Sequence, residues 1–337
     1  MAALRKVALI GAGGTISSLA THRRDYMDYP ETGRKLSADE VIAEIPELAQ
    51  VAELVAVPFR SVGSSAIGPD DWLRLHGAIR AARQAHPDLA GVVILHGTAT
   101  LEETAWFLHL TLPHDLPVVL VGAQRPPNTL SSDAPANAVN ALRVAADPAS
   151  VGRGVLVVLN DEIHSARFVT KGSTFRLDAF HSGAHGPLGV ADPDRIVFDL
   201  AADCAGGPAA FDLAALDRGA GGPLARVDIC YAYAGSDGTA LRAFVAAGAR
   251  GIISAGFAPG MPAPAEREAM VEAAAQGVVI VQSSRAGTGR VARRQWLRDQ
   301  GWIAAGDLGP QKARILLMLA LSAGFDAPQI QACFDRL

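Results

Sequence analysis

Cysteine is scarce in this sequence. Only three cysteines occur among the 337 residues, at positions 204, 230 and 333. An odd number of widely spaced cysteines argues against a disulfide framework and is typical of proteins from a reducing compartment. We therefore predict a cytoplasmic protein.

Long apolar runs are also missing. No run reaches the roughly 18 apolar residues that a membrane helix needs. The first apolar stretch, residues 7–10, meets glycines almost at once. A signal peptide needs an apolar region of about 7–15 residues followed by a small-residue cleavage site. We therefore predict a buried first strand here, and no membrane partner.

Neither sign of charge dominates the chain. Lysine and arginine number 30, aspartate and glutamate 34, and the net charge is −4. Nucleic acids and anionic membrane surfaces select for basic patches, and the mixed charges form none. The expected partner is a small molecule.

What the sequence does contain is an alternation of two kinds of segment. Half of the residues are apolar, and the chain is long enough for two cores. Continuous apolar runs are typical of strands in a parallel sheet that is covered on both faces, and here they occupy 7–11, 92–97, 117–122 and 154–160. Stretches of helical period lie between them, at 37–48, 68–86, 101–112 and 134–147. The pattern predicts a larger, mostly parallel α/β domain over residues 1–200.

A second domain is predicted after a change in composition. Residues 201–225 are rich in Ala, Gly and Pro and are interpreted as a linker. The alternation then resumes more compactly, with strands at 227–233, 251–256 and 278–284 and helices at 239–249, 264–277 and 309–324. We predict a smaller, flavodoxin-like α/β domain over residues 226–337.

The glycine-rich turn "GAGGTIS", residues 11–17, has two interpretations. It does not complete a dinucleotide fingerprint, because Ile16 occupies the last glycine position, and it lacks the ending of a P-loop. The failed fingerprint argues against a nucleotide-dependent dehydrogenase. The turn either serves as a tight connection or lets backbone N–H groups approach a substrate beside the Thr15 hydroxyl.

Two further clusters carry polar side chains. In "HGTAT", residues 96–100, we expect Thr100 to cap the following helix. Thr98 follows the end of a central strand, where open α/β sheets bind ligands. Lys171 in "VTKGS" is either a solvated loop lysine or, if desolvated in a cleft, a base with a lowered pKa.

Several motifs together resemble the bacterial L-asparaginase family. They are "GGTI", "HGT-T-EETA-FL", "VGAQRP", "GVLVVLND", "VTK" and "PQKAR-LL-LAL". The resemblance covers nearly the whole chain. It implies two α/β domains, an active site at the carboxyl ends of the larger domain's strands, and hydrolysis of a side-chain amide to acid and ammonia. It also implies a homotetramer, a dimer of dimers whose sites borrow residues from a neighbouring small domain, and neither a metal nor an organic cofactor.

The resemblance also assigns roles by position. Thr15 matches the nucleophilic threonine, and its tyrosine partner is Tyr29 or Tyr26, with Tyr29 the better match. Thr98 and Lys171 match the pair that activates the threonine or a water.

Further positions match the family's substrate-binding residues. Ser64 matches the serine that holds the substrate carboxylate, and Ala123 the residue whose carbonyl orients the amide. The backbone around Gly14 and Gly97 is expected to supply donors to the oxyanion.

The sequence departs from the family where the substrate's α-ammonium would bind. Ala99 replaces the aspartate that binds the ammonium, and Ser65 replaces a glutamine that contacts it. By counting, Arg294 falls on the neighbouring subunit's glutamate and Met261 on an asparagine of the same network. We therefore predict a substrate without an α-ammonium, such as a dicarboxylic monoamide or a ureido or cyclic amide. Loss of the aspartate should also lower the pKa of Lys171.

The same sequence features allow two other functions and raise the question of a metal site. Loss of an acid also fits a catalytically silent binding paralogue, or an L-asparaginase whose amino-group pocket is rebuilt from other residues. His181 and His185 are four apart with Asp178 nearby, a spacing that binds zinc on a helix. Gly183, Gly186 and Pro187 disfavour a helix there, so no metal site is predicted.

Overall fold

The computed structural model describes residues 3–201, 210–216 and 224–337. The chain forms two compact units, Met1–Ala210 and Phe211–Leu337. The predicted linker, residues 201–225, lies for the most part outside the described residues, as does Cys204.

The first unit alternates strands and helices. Its strands are β1 (Lys6–Gly11), β2 (Ser18–Leu19), β3 (Arg34–Lys35), β4 (Glu53–Val57), β5 (Gly91–Leu95), β6 (Val118–Val121), β7 (Val155–Leu159), β8 (Glu162–Ser165), β9 (Thr170–Lys171), β10 (Phe180–His181), β11 (Gly189–Ala191) and β12 (Ile196–Phe198). Its helices are α1 (Tyr29–Thr32), α2 (Ala38–Glu44), α3 (Leu48–Val51), α4 (Pro69–Ala85), α5 (Leu101–Thr111) and α6 (Ala134–Ala146).

The central sheet of this unit has eight strands in the order β12-β11-β8-β7-β6-β5-β1-β4. Five neighbouring strands pair in parallel, namely β4, β1, β5, β6 and β7. Strands β8, β11 and β12 extend the sheet with antiparallel pairing. All residues of β5, β6 and β7 are buried. A parallel sheet covered on both faces requires such continuous apolar strands. The mostly parallel α/β domain is confirmed.

One predicted helix is interrupted. The stretch 37–48 forms α2, which begins with a capping box between Ser37 and Glu40, and a separate turn, α3. Ile45 between them has φ −122° and ψ 79°, outside the helical region. Pro46 follows it, and a proline disfavours helical backbone in the preceding residue. The helical period therefore continues across a break in the helix.

The second unit has its own four-stranded sheet. Its strands are β13 (Val227–Tyr231), β14 (Gly251–Gly256), β15 (Val279–Ser284) and β16 (Ile303–Ala304), and its helices are α7 (Thr239–Ala246), α8 (Pro264–Ala275), α9 (Gln295–Asp299), α10 (Pro310–Ser322) and α11 (Ala327–Arg336). The strands are parallel in the order β13-β14-β15-β16. The parallel α/β class is confirmed, but this sequential order lacks the 2-1-3 reversal of flavodoxin. In the part of the chain that the structure describes, no helix has both the length and the apolar character to cross a membrane.

A buried histidine joins the end of β5 to the helices behind it. His96, predicted as part of the strand, lies in the turn after Leu95 and is fully buried. Its Nδ1 lies 2.8 Å from the Gly97 carbonyl oxygen and its Nε2 lies 2.9 Å from Thr104 Oγ1, which also accepts the Trp72 Nε1–H at 3.0 Å. A carbonyl can only accept, so Nδ1 carries a proton. Burial lowers the pKa of His96 to about 4.

This histidine should make the stability of the first unit depend on pH. The pKa of His96 is about 4 in the folded chain against a model value of 6.5, so between these pH values only the unfolded chain binds the proton. The contribution of His96 to the free energy of unfolding is therefore fully present above pH 6.5, and it is lost as the pH drops towards 4. The loss should reach about 3 kcal/mol, since one pKa unit corresponds to about 1.4 kcal/mol.

Urea unfolding of the wild type and of His96→Gln between pH 7.5 and 4 measures this effect. The variant lacks the titrating ring, so the free-energy difference between the two proteins should shrink as the pH falls. Parallel pH curves would contradict the prediction.

Candidate active site

Four of the predicted site residues lie in turns at one edge of the first unit's sheet. Strands β4, β1, β5 and β6 are neighbours and run in parallel, so their carboxyl ends meet at the same edge. The turns that follow them contain Ser64, Thr15, Thr98 and Ala123, respectively. Open α/β sheets bind ligands at this edge.

Glycine backbones bring three of these turns into contact. Gly14 has φ 84° and ψ −171°, a conformation reserved almost entirely for glycine. A Cβ atom on Gly14 would lie 2.1 Å from Gly97 Cα, and one on Gly97 would lie 2.7 Å from Ser64 Oγ. The three turns can therefore touch only because neither residue has a side chain.

Thr15 is paired with Tyr29. Its Oγ1 lies 2.6 Å from Tyr29 Oη, and the threonine is buried. Asp25 Oδ1 accepts the Tyr29 backbone N–H at 3.1 Å, which holds the tyrosine loop in place. Burial raises the pKa of Tyr29, so the phenol is neutral at physiological pH. Tyr26, the other tyrosine considered, donates instead to the Leu130 carbonyl at 3.0 Å.

A second pair joins Lys171 to Thr98. Lys171, in β9, donates from Nζ to Thr98 Oγ1 at 2.6 Å. Burial lowers the pKa of Lys171, and the nearby Glu102 carboxylate opposes that shift. Glu102 also accepts the Lys171 backbone N–H at 2.7 Å. The sequence analysis did not single out this glutamate, because its place in the first turn of α5 is ordinary for an acidic residue.

The Ser64 turn lies against the turn after β5. Ser64 is buried and its Oγ accepts the Ala99 N–H at 3.2 Å, whereas Ser65 and Ala99 are both exposed. Thr100 is the residue before α5, but its side chain does not cap the helix. The Thr100 hydroxyl donates to the Ser64 carbonyl at 2.8 Å instead. The capping role predicted for Thr100 is therefore wrong, because its hydroxyl is directed to the Ser64 carbonyl and its oxygen accepts no N–H from α5.

An aspartate that the sequence analysis missed organises the turn around Ala123. Asp133 accepts the backbone N–H groups of Gln124 and Arg125, each at 2.9 Å. Asn137, one turn further along α6, donates to the Gly122 carbonyl at 3.0 Å. Ala123 is fully buried between these contacts. The available sequence signal was an aspartate directly before a helix, which is more often a cap.

In the second unit, Met261 and Arg294 come together. Arg294 Nη2 donates to the carbonyl of Gly260 at 2.7 Å, directly before Met261. The arginine is half-buried and Met261 is exposed. Two positions 33 residues apart in the sequence thus lie side by side.

The histidines weighed as metal ligands do not share a helix. His181 belongs to β10, and His185 stacks on Phe168 with ring centroids 3.8 Å apart. Asp178 pairs with Arg176 at 3.0 Å. Within residues 3–201, 210–216 and 224–337, no three metal-ligating side chains are grouped as a metal site would need.

Comparison with known families accounts for both units. Residues 6–203 match the family model described as "Asparaginase, N-terminal", and residues 226–334 match "Glutaminase/Asparaginase C-terminal domain". The chain belongs to the asparaginase/glutaminase family. It is therefore an amidohydrolase, which acts on carbon–nitrogen bonds other than peptide bonds.

Relatives of this family are similar over almost their full length. "Probable L-asparaginase periplasmic" of Haemophilus influenzae is 38% identical over 335 residues, which cover 98% of this chain and 93% of that protein. "Glutaminase-asparaginase" of Pseudomonas fluorescens biotype A is 36% identical, with coverages of 98% and 90%. The crystal structure of a "Probable Cytoplasmic L-asparaginase" from Campylobacter jejuni matches with a TM-score of 0.90 at 34% identity, with coverages of 99% and 100%.

The contact between Gly14 and Gly97 can be tested by adding one methyl group. Gly14→Ala should be destabilised by about 1–2 kcal/mol from the positive φ and by about 1–3 kcal/mol more from the clash with Gly97. Gly186→Ala is the matched control, because Gly186 has φ 69° and ψ 176° but open space around its Cα. Urea unfolding of both variants isolates the clash. Equal losses of stability would show that the two turns do not depend on this contact.

Proposed function

We propose that this amidohydrolase cleaves a small carboxylic amide that lacks an α-ammonium, with Thr15 as the nucleophile. The observation that carries the proposal is that Ala99 supplies no acid while both hydroxyl pairs of the site, Thr15–Tyr29 and Thr98–Lys171, are kept. An uncharged methyl group, Ala99, is exposed beside Ser64, while the hydroxyl–phenol and hydroxyl–amine pairs are both intact. This combination supports cleavage of an amide bond by a site that has no carboxylate at position 99 to bind an amino group.

The two pairs support a two-step reaction. Thr15 Oγ1 attacks the amide carbonyl, and its proton passes through Tyr29 to the leaving nitrogen. Ammonia departs, and the acyl group remains as an ester on Thr15. A threonine hydroxyl is a weak nucleophile, and a positioned proton acceptor makes this step feasible.

The Lys171–Thr98 pair then takes one proton from water, and the hydroxide attacks the ester carbonyl. The C–O bond to Thr15 Oγ1 breaks, and Oγ1 takes the second water proton through Tyr29. The product leaves as a carboxylate, and Lys171 releases its proton to solvent. The lowered pKa of Lys171 favours the neutral amine that this role requires.

Backbone donors are available for the oxyanion. Neither the Thr15 N–H nor the Thr98 N–H has a hydrogen-bond partner among the residues that the structure describes. Both groups belong to the two turns that Gly14 and Gly97 hold together. Donors placed in advance at the developing negative charge supply much of the catalysis in amide hydrolysis.

Three of the carboxylates around the site are already engaged by the protein's own backbone. Those that act on the pKa of Tyr29 and Lys171 include Asp25, Asp133 and Glu102. Each of the three already accepts at least one backbone N–H. This supports a substrate whose recognition rests on its carboxylate and its amide.

We also propose the family's homotetramer, in which a neighbouring subunit presents Arg294 to the site. A guanidinium there would favour a second substrate carboxylate. It would repel an ammonium by about 4 kcal/mol at a separation of about 4 Å and an effective dielectric constant of about 20.

We also propose a cytoplasmic location. The relatives include proteins named for the periplasm and for the cytoplasm, so this proposal rests on the scarcity of cysteine.

An ammonia-release assay over small amides tests the proposal. Succinamate and malonamate should be hydrolysed with a kcat/KM at least 100-fold above that of asparagine, because they carry no ammonium to be left unpaired. Thr15→Ala should abolish the release. Ureido acids and cyclic amides belong in the same assay.

Two results would overturn the proposal. Turnover of asparagine with a micromolar KM would reject the substrate class. Absence of any hydrolysis would indicate a silent binding protein.

L-asparaginase is the second candidate function, and the names of the relatives favour it. Ala99→Asp restores a carboxylate at the position where it would pair with an ammonium. If the wild type discriminates against asparagine for lack of that charge, the variant should raise kcat/KM for asparagine at least tenfold. Ala99→Asn, similar in shape but uncharged, is the control. Equal values for the two variants would show that charge at this position does not select the substrate.

A further inference from the structure

A lysine lies behind the Thr15 turn without an acidic partner. Lys35 in β3 stands directly opposite Ser18 in β2, across the two-stranded ribbon that closes the Tyr29 loop. Its Nζ donates to Ser18 Oγ at 3.1 Å. The lysine is half-buried, and Ser18 is fully buried.

The contact continues into the backbone of the turn. Ser18 Oγ donates in turn to the Gly14 carbonyl oxygen at 2.7 Å. That carbonyl belongs to the same peptide group as the Thr15 N–H. A chain of hydrogen bonds therefore runs from an ammonium group, through one hydroxyl, to the peptide that precedes Thr15.

Lys35 has little compensation from acidic groups. In the described part of the chain no carboxylate forms an ion pair with it. Burial lowers the pKa of Lys35, and the charge of Glu31 acts in the opposite direction. The other close neighbour is the Tyr29 ring, whose centroid lies 5.9 Å from Nζ.

We propose that Lys35 is a positioning residue that strengthens the Thr15 N–H as an oxyanion donor, through Ser18 and the Gly14 carbonyl. This inference rests on the proposed function, since it requires an oxyanion beside Thr15. Successive hydrogen bonds polarise one another, so a cation at one end draws electron density from the Gly14–Thr15 peptide. The polarised N–H then binds negative charge more strongly.

Such an effect has a kinetic signature. The negative charge exists only in the transition state. Loss of the stronger hydrogen bond to that charge therefore lowers kcat and leaves KM nearly unchanged. Because Lys35 acts through Ser18, removing both side chains should cost no more than removing one.

The experiment measures kcat and KM for ammonia release from the best amide substrate. The variants are Lys35→Met, Ser18→Ala, the double variant and Lys35→Arg, each with a thermal melt to verify folding. We expect a roughly tenfold lower kcat for both single variants and for the double variant, with partial recovery in Lys35→Arg. Arg34→Met, the exposed neighbour on the same strand, is the control and should match the wild type.

Three results would overturn the inference. They are additive losses in the double variant, a change confined to KM, and no recovery with arginine. If Lys35→Met fails to fold, Ser18→Ala and Lys35→Arg still decide the matter, because an unchanged kcat in Ser18→Ala excludes the path through Ser18. Thr15→Ala separates the two proposals: activity retained in that variant rejects the proposed function, whereas activity lost there but unchanged in Lys35→Met rejects only this inference.

Discussion

The contact between the backbones of Gly14 and Gly97 is the constraint on which the site depends. A parallel sheet delivers the turns after β1 and β5 to the same edge, but ordinary side chains would hold those turns apart. With hydrogen atoms in place of Cβ atoms, the turn of Thr15 lies directly against the turn of Thr98. The tight glycine turn is thus both a structural connection and the means by which two reactive hydroxyl groups share one edge of the sheet.

Burial tunes the titrating groups of the site in opposite directions. It raises the pKa of Tyr29 and lowers the pKa of Lys171, so both the phenol and the amine are shifted towards their neutral forms. A neutral phenol beside Thr15 and a more nearly neutral amine beside Thr98 suit proton transfer in both steps of amide hydrolysis. The nearby carboxylates add to the shift at Tyr29, because their negative charge also raises the pKa of the phenol. Glu102, in contrast, opposes the shift at Lys171 without cancelling it.

The chemistry of the site and its selectivity reside in different residues. The hydroxyl, phenol and amine groups follow the family pattern, and family membership is sufficient to identify an amidohydrolase. In the proposed function, selectivity depends on Ala99 and Ser65, which are exposed in this chain and carry no charge, and on Arg294. A change of substrate class can therefore arise without any change in the bond-breaking groups.

The sequence alone determined the α/β class, the two-part organisation and the strand ends that carry the site, because continuous buried strands leave an unambiguous apolar signature. It also placed Thr15, Thr98 and Lys171 in separate turns. The resemblance already favoured Tyr29 over Tyr26, but only the tertiary structure placed its hydroxyl against Thr15, turned Thr100 away from helix capping and connected Lys35 to the Thr15 turn. The physical reason is that these are hydrogen bonds between turns distant in sequence. Local propensity cannot specify them, because each depends on which acceptor the folded sheet edge brings closest.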